Sequence, residues 1–185
     1  MSGITSAAPS VSRAVAGPLR SGTVALGGSA LLALSAHIAF PFWPVPLTLQ
    51  TLAVLLIGAV AGPRLGFACV LAYLAEGLAG LPVFATGAGS AVLLGPTGGY
   101  LLGYLPAVAL AGLAVGRGRG STLRTVLIFS AADALVFALG LARLVAIVGG
   151  GEAVAVGLAP FLLGESLKIA LAAAVLAVGR GFFKR

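Results

Sequence analysis

The stretch PFLLGESLKIAL, Pro160 to Leu171, places a carboxylate and an ammonium inside an otherwise apolar run. Glu165 and Lys168 are spaced i and i+3, so on a helix they project from one side. Near a bilayer centre each charge costs about 2.5–3.5 kcal/mol on insertion scales, which is sustained when the groups face an interior and have partners. Two readings fit. One is an ion pair that fixes helix order, extended to Asp133 or Arg143. The other is a polar site for a ligand that carries both hydrogen-bond donors and acceptors. The carboxylate would receive N–H groups and the ammonium would meet an oxygen or a carboxylate. The second reading is the expectation taken forward.

Other residues could complete such a site. Asp133 reaches mid-depth in its span, whereas Arg143 and Glu76 lie nearer the outer edge of theirs, and Glu152 falls in an outer loop. FPFWPVPLTLQT, Phe40 to Thr51, brings three prolines, Trp43, Thr48 and Gln50; Trp43 also fits an interfacial belt. GLPVFATGAGSAVLLGPTGGY, Gly80 to Tyr100, is long, uncharged and glycine-rich. It is too apolar for an ordinary solvated loop. Folded back as a lid, it would supply Phe84 as an apolar contact, Tyr100 at its end, and free backbone N–H groups for an anion. An apolar pocket with a few convergent polar groups is the usual form of a small-molecule site.

The elements that must hold these residues follow from composition. Of 185 residues, 60% are hydrophobic and 8% charged, with a mean hydropathy of +1.17. Soluble domains carry roughly 25% charged residues, so the expected solvent is lipid and the expected class an all-α polytopic membrane protein. Hydropathy and punctuation give a short cytoplasmic tail, 1–20, and one domain of six spans. These are about 22–40, 46–62, 64–80, 98–116, 122–148 and 158–179. The first apolar run is too long for the core of a cleaved signal peptide. GPRLG, GPTGG and APF each place a proline where a helix can begin, because its missing N–H would be unbonded there anyway.

Nine of the eleven lysines and arginines fall at one set of span ends: Arg13, Arg20, Arg64, Arg117, Arg119, Arg124, Arg180, Lys184 and Arg185. The opposite loops, about 41–45, 81–97 and 149–157, have none. This bias puts both termini in the cytoplasm. It also accounts for the net charge of +7 without a nucleic-acid partner. Small residues such as Ala25, Ser29 and Ala33 suit close helix contact, either within the bundle or as a docking face for another membrane protein.

Several chemistries are excluded. One cysteine, Cys69, and one histidine, His37, cannot build a disulfide or a multi-residue zinc site. No Walker A sequence is present, and GRGRGS, Gly116 to Ser121, is a basic inner loop rather than a phosphate cradle. GES lacks the flanks of a serine nucleophile. The expectation is a protein that is not an enzyme and needs no metal or cofactor.

PVPLTLQTLAVLLIGAVAGPRLG, GLPVFATGAG, LLGPTGGYLLGY and PFLLGESLK, over about 44–105 and 158–172, resemble BioY, the biotin-specific S components of energy-coupling factor transporters. The resemblance implies a six-helix bundle in the cytoplasmic membrane of a prokaryote that captures biotin from outside. Import would be driven by a transmembrane coupling subunit with two ABC-type ATPases, although members of the family also work alone. By the same resemblance Glu165 and Lys168 are ligand-binding, with glutamate where aspartate is more usual. It also favours Ala25, Ser29 and Ala33 as the docking face, and leaves Arg143 as the candidate substitute for an arginine that some members carry near the lid and that is absent from 81–97. The competing functional classes are a proton-coupled carrier, in which Glu165 or Asp133 titrates, and a structural subunit whose ion pair only orders helices.

Overall fold

The computed structural model describes residues 11–114 and 121–182, with side chains for 21–114 and 121–179. Arg117, Arg119, Lys184 and Arg185 of the charge pattern lie outside the described residues, and the side chains of Arg13, Arg20 and Arg180 are likewise not described. The architecture is helical: α1 (Val11–His37), α2 (Gln50–Leu78), α3 (Ser90–Leu94), α4 (Gly98–Ala111), α5 (Thr122–Val148), α6 (Gly150–Gly157) and α7 (Leu162–Phe182). Two-residue strands, Ala39–Phe40 and Leu47–Thr48, pair antiparallel and pinch the proline-rich connection between α1 and α2.

α2 is a reversal rather than a rod. Gly62 has φ +80 and is followed by Pro63, a backbone turn that glycine adopts freely and that a proline can follow into a new helix. The two arms, 50–61 and 63–78, then fold back on each other. Gln50 Nε2 donates to Tyr73 Oη at 2.7 Å across 23 residues, which in a straight helix would be about 34 Å apart. The two spans expected at 46–62 and 64–80 are these arms. Among the described residues, three helices are apolar enough by length and composition to cross a membrane: Gln50–Leu78, Thr122–Val148 and Leu162–Gly179.

α4 lies between α2 and α5. Gly99 and Gly103 form a small-xxx-small face against Leu139, Gly140 and Val136 of α5, where any Cβ would collide with backbone. Lipid supplies little drive for helix association, so such close approach carries the packing. On its other side Gly112 abuts the Gly62–Pro63 turn. The buried core runs through these contacts, from Val54, Val70 and Tyr73 to Val108, Phe129 and Leu144.

Three expectations about boundaries shift. α1 begins at Val11, inside the stretch read as tail. Residues 150–157, inside the outer loop expected at about 149–157, form α6, since Ala153 and Gly157 pack inward and Gly157 O accepts from Tyr100 Oη at 2.8 Å. The last helix begins at Leu162, four residues later than the expected start at 158. Phe161 is buried against Phe137, with ring centroids 6.0 Å apart, and draws the chain inward before the helix starts. Glu165 therefore stands in the first turn of α7, shallower than expected.

Candidate functional site

Glu165 and Lys168 both point inward, 4% and 6% exposed. Lys168 Nζ meets Glu165 Oε1 at 2.7 Å. Nζ also donates to the Thr48 carbonyl at 2.5 Å and to Thr51 Oγ1 at 3.0 Å, and Thr51 Oγ1 donates to Glu165 Oε2 at 2.6 Å. The result is a closed cluster that joins α7 to the first turn of α2. Its position at the N-terminus of α7 adds the favourable end of the helix dipole to the carboxylate. Thr48 and Thr51 supply further partners for the pair within the chain.

The cluster nevertheless borders space. Two cavities of about 30 Å³ each share Val45, Pro46, Thr48, Tyr100 and Tyr104. One is closed by Gln50, Phe84, Thr86, Val92 and Thr97, and the other by Thr51, Val136, Phe137, Phe161 and Glu165. Each holds about one or two waters by volume. Aromatic walls meet edge to face, Tyr100 on Phe137 at 5.8 Å and Tyr73 on Phe84 at 5.3 Å. An apolar ring system would find stacking surfaces here, and a polar end would find Glu165, Thr48 and Gln50.

The glycine-rich segment folds back over the first cavity as expected. Gly80, Gly87 and Gly89 all have positive φ. Phe84, 2% exposed, occupies the place where Gly77 has no side chain. The N–H groups of Phe84, Gly87 and Gly89 are spent on Gly87 O, Phe84 O and Gly77 O, so those three are not free for an anion.

Of the residues singled out in the sequence, Thr48, Gln50, Phe84, Tyr100 and Glu165 line the cavities, and Lys168 stands directly behind Glu165. Asp133 is buried within electrostatic reach of Glu165 and Lys168, and its Oδ1 has no hydrogen-bond partner among the described residues. Trp43 is 78% exposed and lines neither cavity. Arg143 lines a separate groove with Leu93, Leu94, Gly99, Leu102 and Leu139. Ser29 is fully buried and its hydroxyl donates to Glu76 of α2, an intramolecular contact. Ala25 and Ala33 are half-buried. No group of three metal-ligating side chains occurs among the described residues. Thr51, Tyr104, Phe137 and Phe161 were not anticipated. Tyr104 follows Tyr100 by four residues and so shares its helix face, a signal that was available.

The family model for the BioY family matches residues 7–185. The chain belongs to the BioY family. Among relatives, a probable biotin transporter BioY of Pyrococcus horikoshii is 39% identical over 77% of this chain and 85% of that protein. The biotin transporter BioY of Thermotoga maritima is 36% identical over 80% and 88%. A crystal structure of the S-component for biotin from an ECF-type ABC transporter superposes with a TM-score of 0.77 at 25% identity, covering 94% of this chain and 95% of that one. These family members are named as transporters, which fits a chain whose polar cluster borders a cavity.

Proposed function

We propose that the chain captures biotin as the substrate-binding subunit of an energy-coupling factor transporter. The observation that carries this reading is the Lys168–Glu165–Thr51 cluster bordering an aromatic-walled cavity that adjoins the one covered by the glycine-rich segment. Biotin has an apolar ring and chain, a ureido group with two N–H donors and a carbonyl, and a carboxylate. Glu165 accepts ureido N–H groups while Lys168 meets an oxygen of the ligand, each exchanging an internal partner for an external one. The aromatic rings of Tyr100, Tyr104 and Phe137 pack on the apolar part.

In the fuller reading six spans cross the prokaryotic cytoplasmic membrane with both termini inside, and a coupling subunit with two ATPases supplies the energy. The arginine placement supports that orientation: Arg64 and Arg124 are exposed at the opposite end of their helices from the lid. The direct experiment is mass spectrometry of small molecules released from gently purified protein, followed by calorimetry. Biotin in the released fraction supports the proposal, and an absence of any heat on adding biotin to stripped protein sinks it.

A proton-coupled carrier is the second reading, favoured by the unpartnered Oδ1 of Asp133 beside Glu165. Uptake into vesicles that persists without ATP and collapses with the proton gradient would select it.

A further inference from the structure

Arg143 is the cation that the Glu165 cluster does not use. Arg124, near the start of α5, precedes it by 19 residues, about 28 Å along a helix axis, which is close to the hydrocarbon thickness of a bilayer. One arginine therefore stands at each membrane face of this helix. Arg143 overhangs a groove of about 300 Å³ between α4 and α5, lined by Leu93, Leu94, Gly99, Leu102 and Leu139. Leu94, Leu102 and Leu139 are 67%, 47% and 43% exposed, so the groove opens to the surroundings of the bundle.

The guanidinium is incompletely matched. Nη2 donates to the carbonyl of Leu94, the last residue of α3, while Nε is buried with no acceptor among the described residues. The ion pair among the described residues joins Lys168 to Glu165, leaving Arg143 without a carboxylate. A buried charged donor lacking an acceptor is costly, and a planar guanidinium fits phosphate oxygens two at a time.

We propose that this groove binds an anionic phospholipid. Its phosphodiester accepts from Arg143 while an acyl chain lies along Leu94, Leu102 and Leu139. Position selects the ligand: along α5 Leu139 lies one turn, about 6 Å, from Arg143 toward the middle of the helix, so in a bilayer the guanidinium would stand nearer the headgroups than that leucine. The uncompensated positive charge favours a headgroup of net negative charge over a zwitterionic one. Because the same guanidinium holds the end of α3, the lipid sits where the lid segment rejoins the bundle.

Native mass spectrometry of the full chain in detergent, titrated with phosphatidylglycerol or phosphatidylcholine, tests this. One phosphatidylglycerol adduct is expected, held more tightly than phosphatidylcholine. Arg143→Gln should weaken that adduct about tenfold, the scale of one charge-assisted hydrogen bond, and erase the headgroup preference. Arg143→Lys should keep the preference, and Arg124→Gln should leave the adduct unchanged. Leu102→Trp fills the groove without touching the charge and should also lose the adduct, which keeps the test decisive if Arg143→Gln does not fold. Parent-like phosphatidylglycerol binding by Leu102→Trp overturns the proposal, as does parent-like binding by a folded Arg143→Gln. Inorganic phosphate that displaces phosphatidylglycerol and stabilises the parent equally would reassign the site to a soluble anion, which also overturns it.

Discussion

Glu165 and Glu76 both stand on helices surrounded by apolar side chains, yet they are satisfied in different ways. Glu165 has an ammonium on one oxygen and a threonine hydroxyl on the other, and it borders a cavity. Glu76 is half-buried, accepts the hydroxyl of Ser29, and lines neither small cavity. The first arrangement joins three charged or polar partners beside a space, and the second ties α1 to the second arm of α2. On the proposed function, it is the cation and the adjoining space that mark Glu165 rather than Glu76 as the binding carboxylate.

The largest expected effect comes from breaking the first arrangement on one side. Lys168→Met leaves a buried carboxylate without its cation, a change that costs about 3–5 kcal/mol. Thermal melting should fall sharply, and biotin affinity measured by calorimetry should drop by orders of magnitude. Replacing both members, Glu165→Met with Lys168→Met, should restore most of the stability, because apolar replacement of a buried pair is often neutral, while binding stays lost. If the double variant binds biotin as the parent does, the cluster is only structural and the contrast with Glu76 disappears.

Smaller effects sharpen the comparison. Thr51→Val removes the hydroxyl that bridges both charges and should weaken binding by about 1–3 kcal/mol, the cost of an unsatisfied buried group, with helix content unchanged by circular dichroism. Ser29→Ala should cost about 1 kcal/mol of stability and leave calorimetric biotin affinity within about twofold, a shift of under half a kcal/mol. A large loss of affinity in Ser29→Ala would place Glu76 in the binding machinery after all.

Much of this was legible before any coordinates. The Gly62–Pro63 reversal follows from two residues whose backbone preferences leave few alternatives, and Glu165 with Lys168 stood out because charge is expensive among apolar neighbours. The lid could be read from a loop too apolar for water. What sequence could not supply was the face each side chain takes. Thr51 is adjacent to Gln50, yet it reaches α7 while Gln50 reaches Tyr73. Ser29 shares its spacing with Ala25 and Ala33, yet its hydroxyl donates to Glu76. Residues 150–157 fall in the expected outer loop, yet they form α6: glycine is a poor helix former, and tertiary contact through Tyr100 overrides that propensity.

The smallness of the two cavities beneath the lid has a kinetic corollary. A bicyclic solute cannot diffuse into 30 Å³ of room; small-molecule clefts typically run to several hundred Å³. If biotin is the ligand, Phe84, which lines the first cavity, would have to leave its seat against Gly77 for that room to grow, and the apparent affinity would be diminished by the scarcity of the opened conformer. Association would then be slower than collision, and a substitution that merely loosens the Phe84 seat would quicken uptake of solute and its escape together.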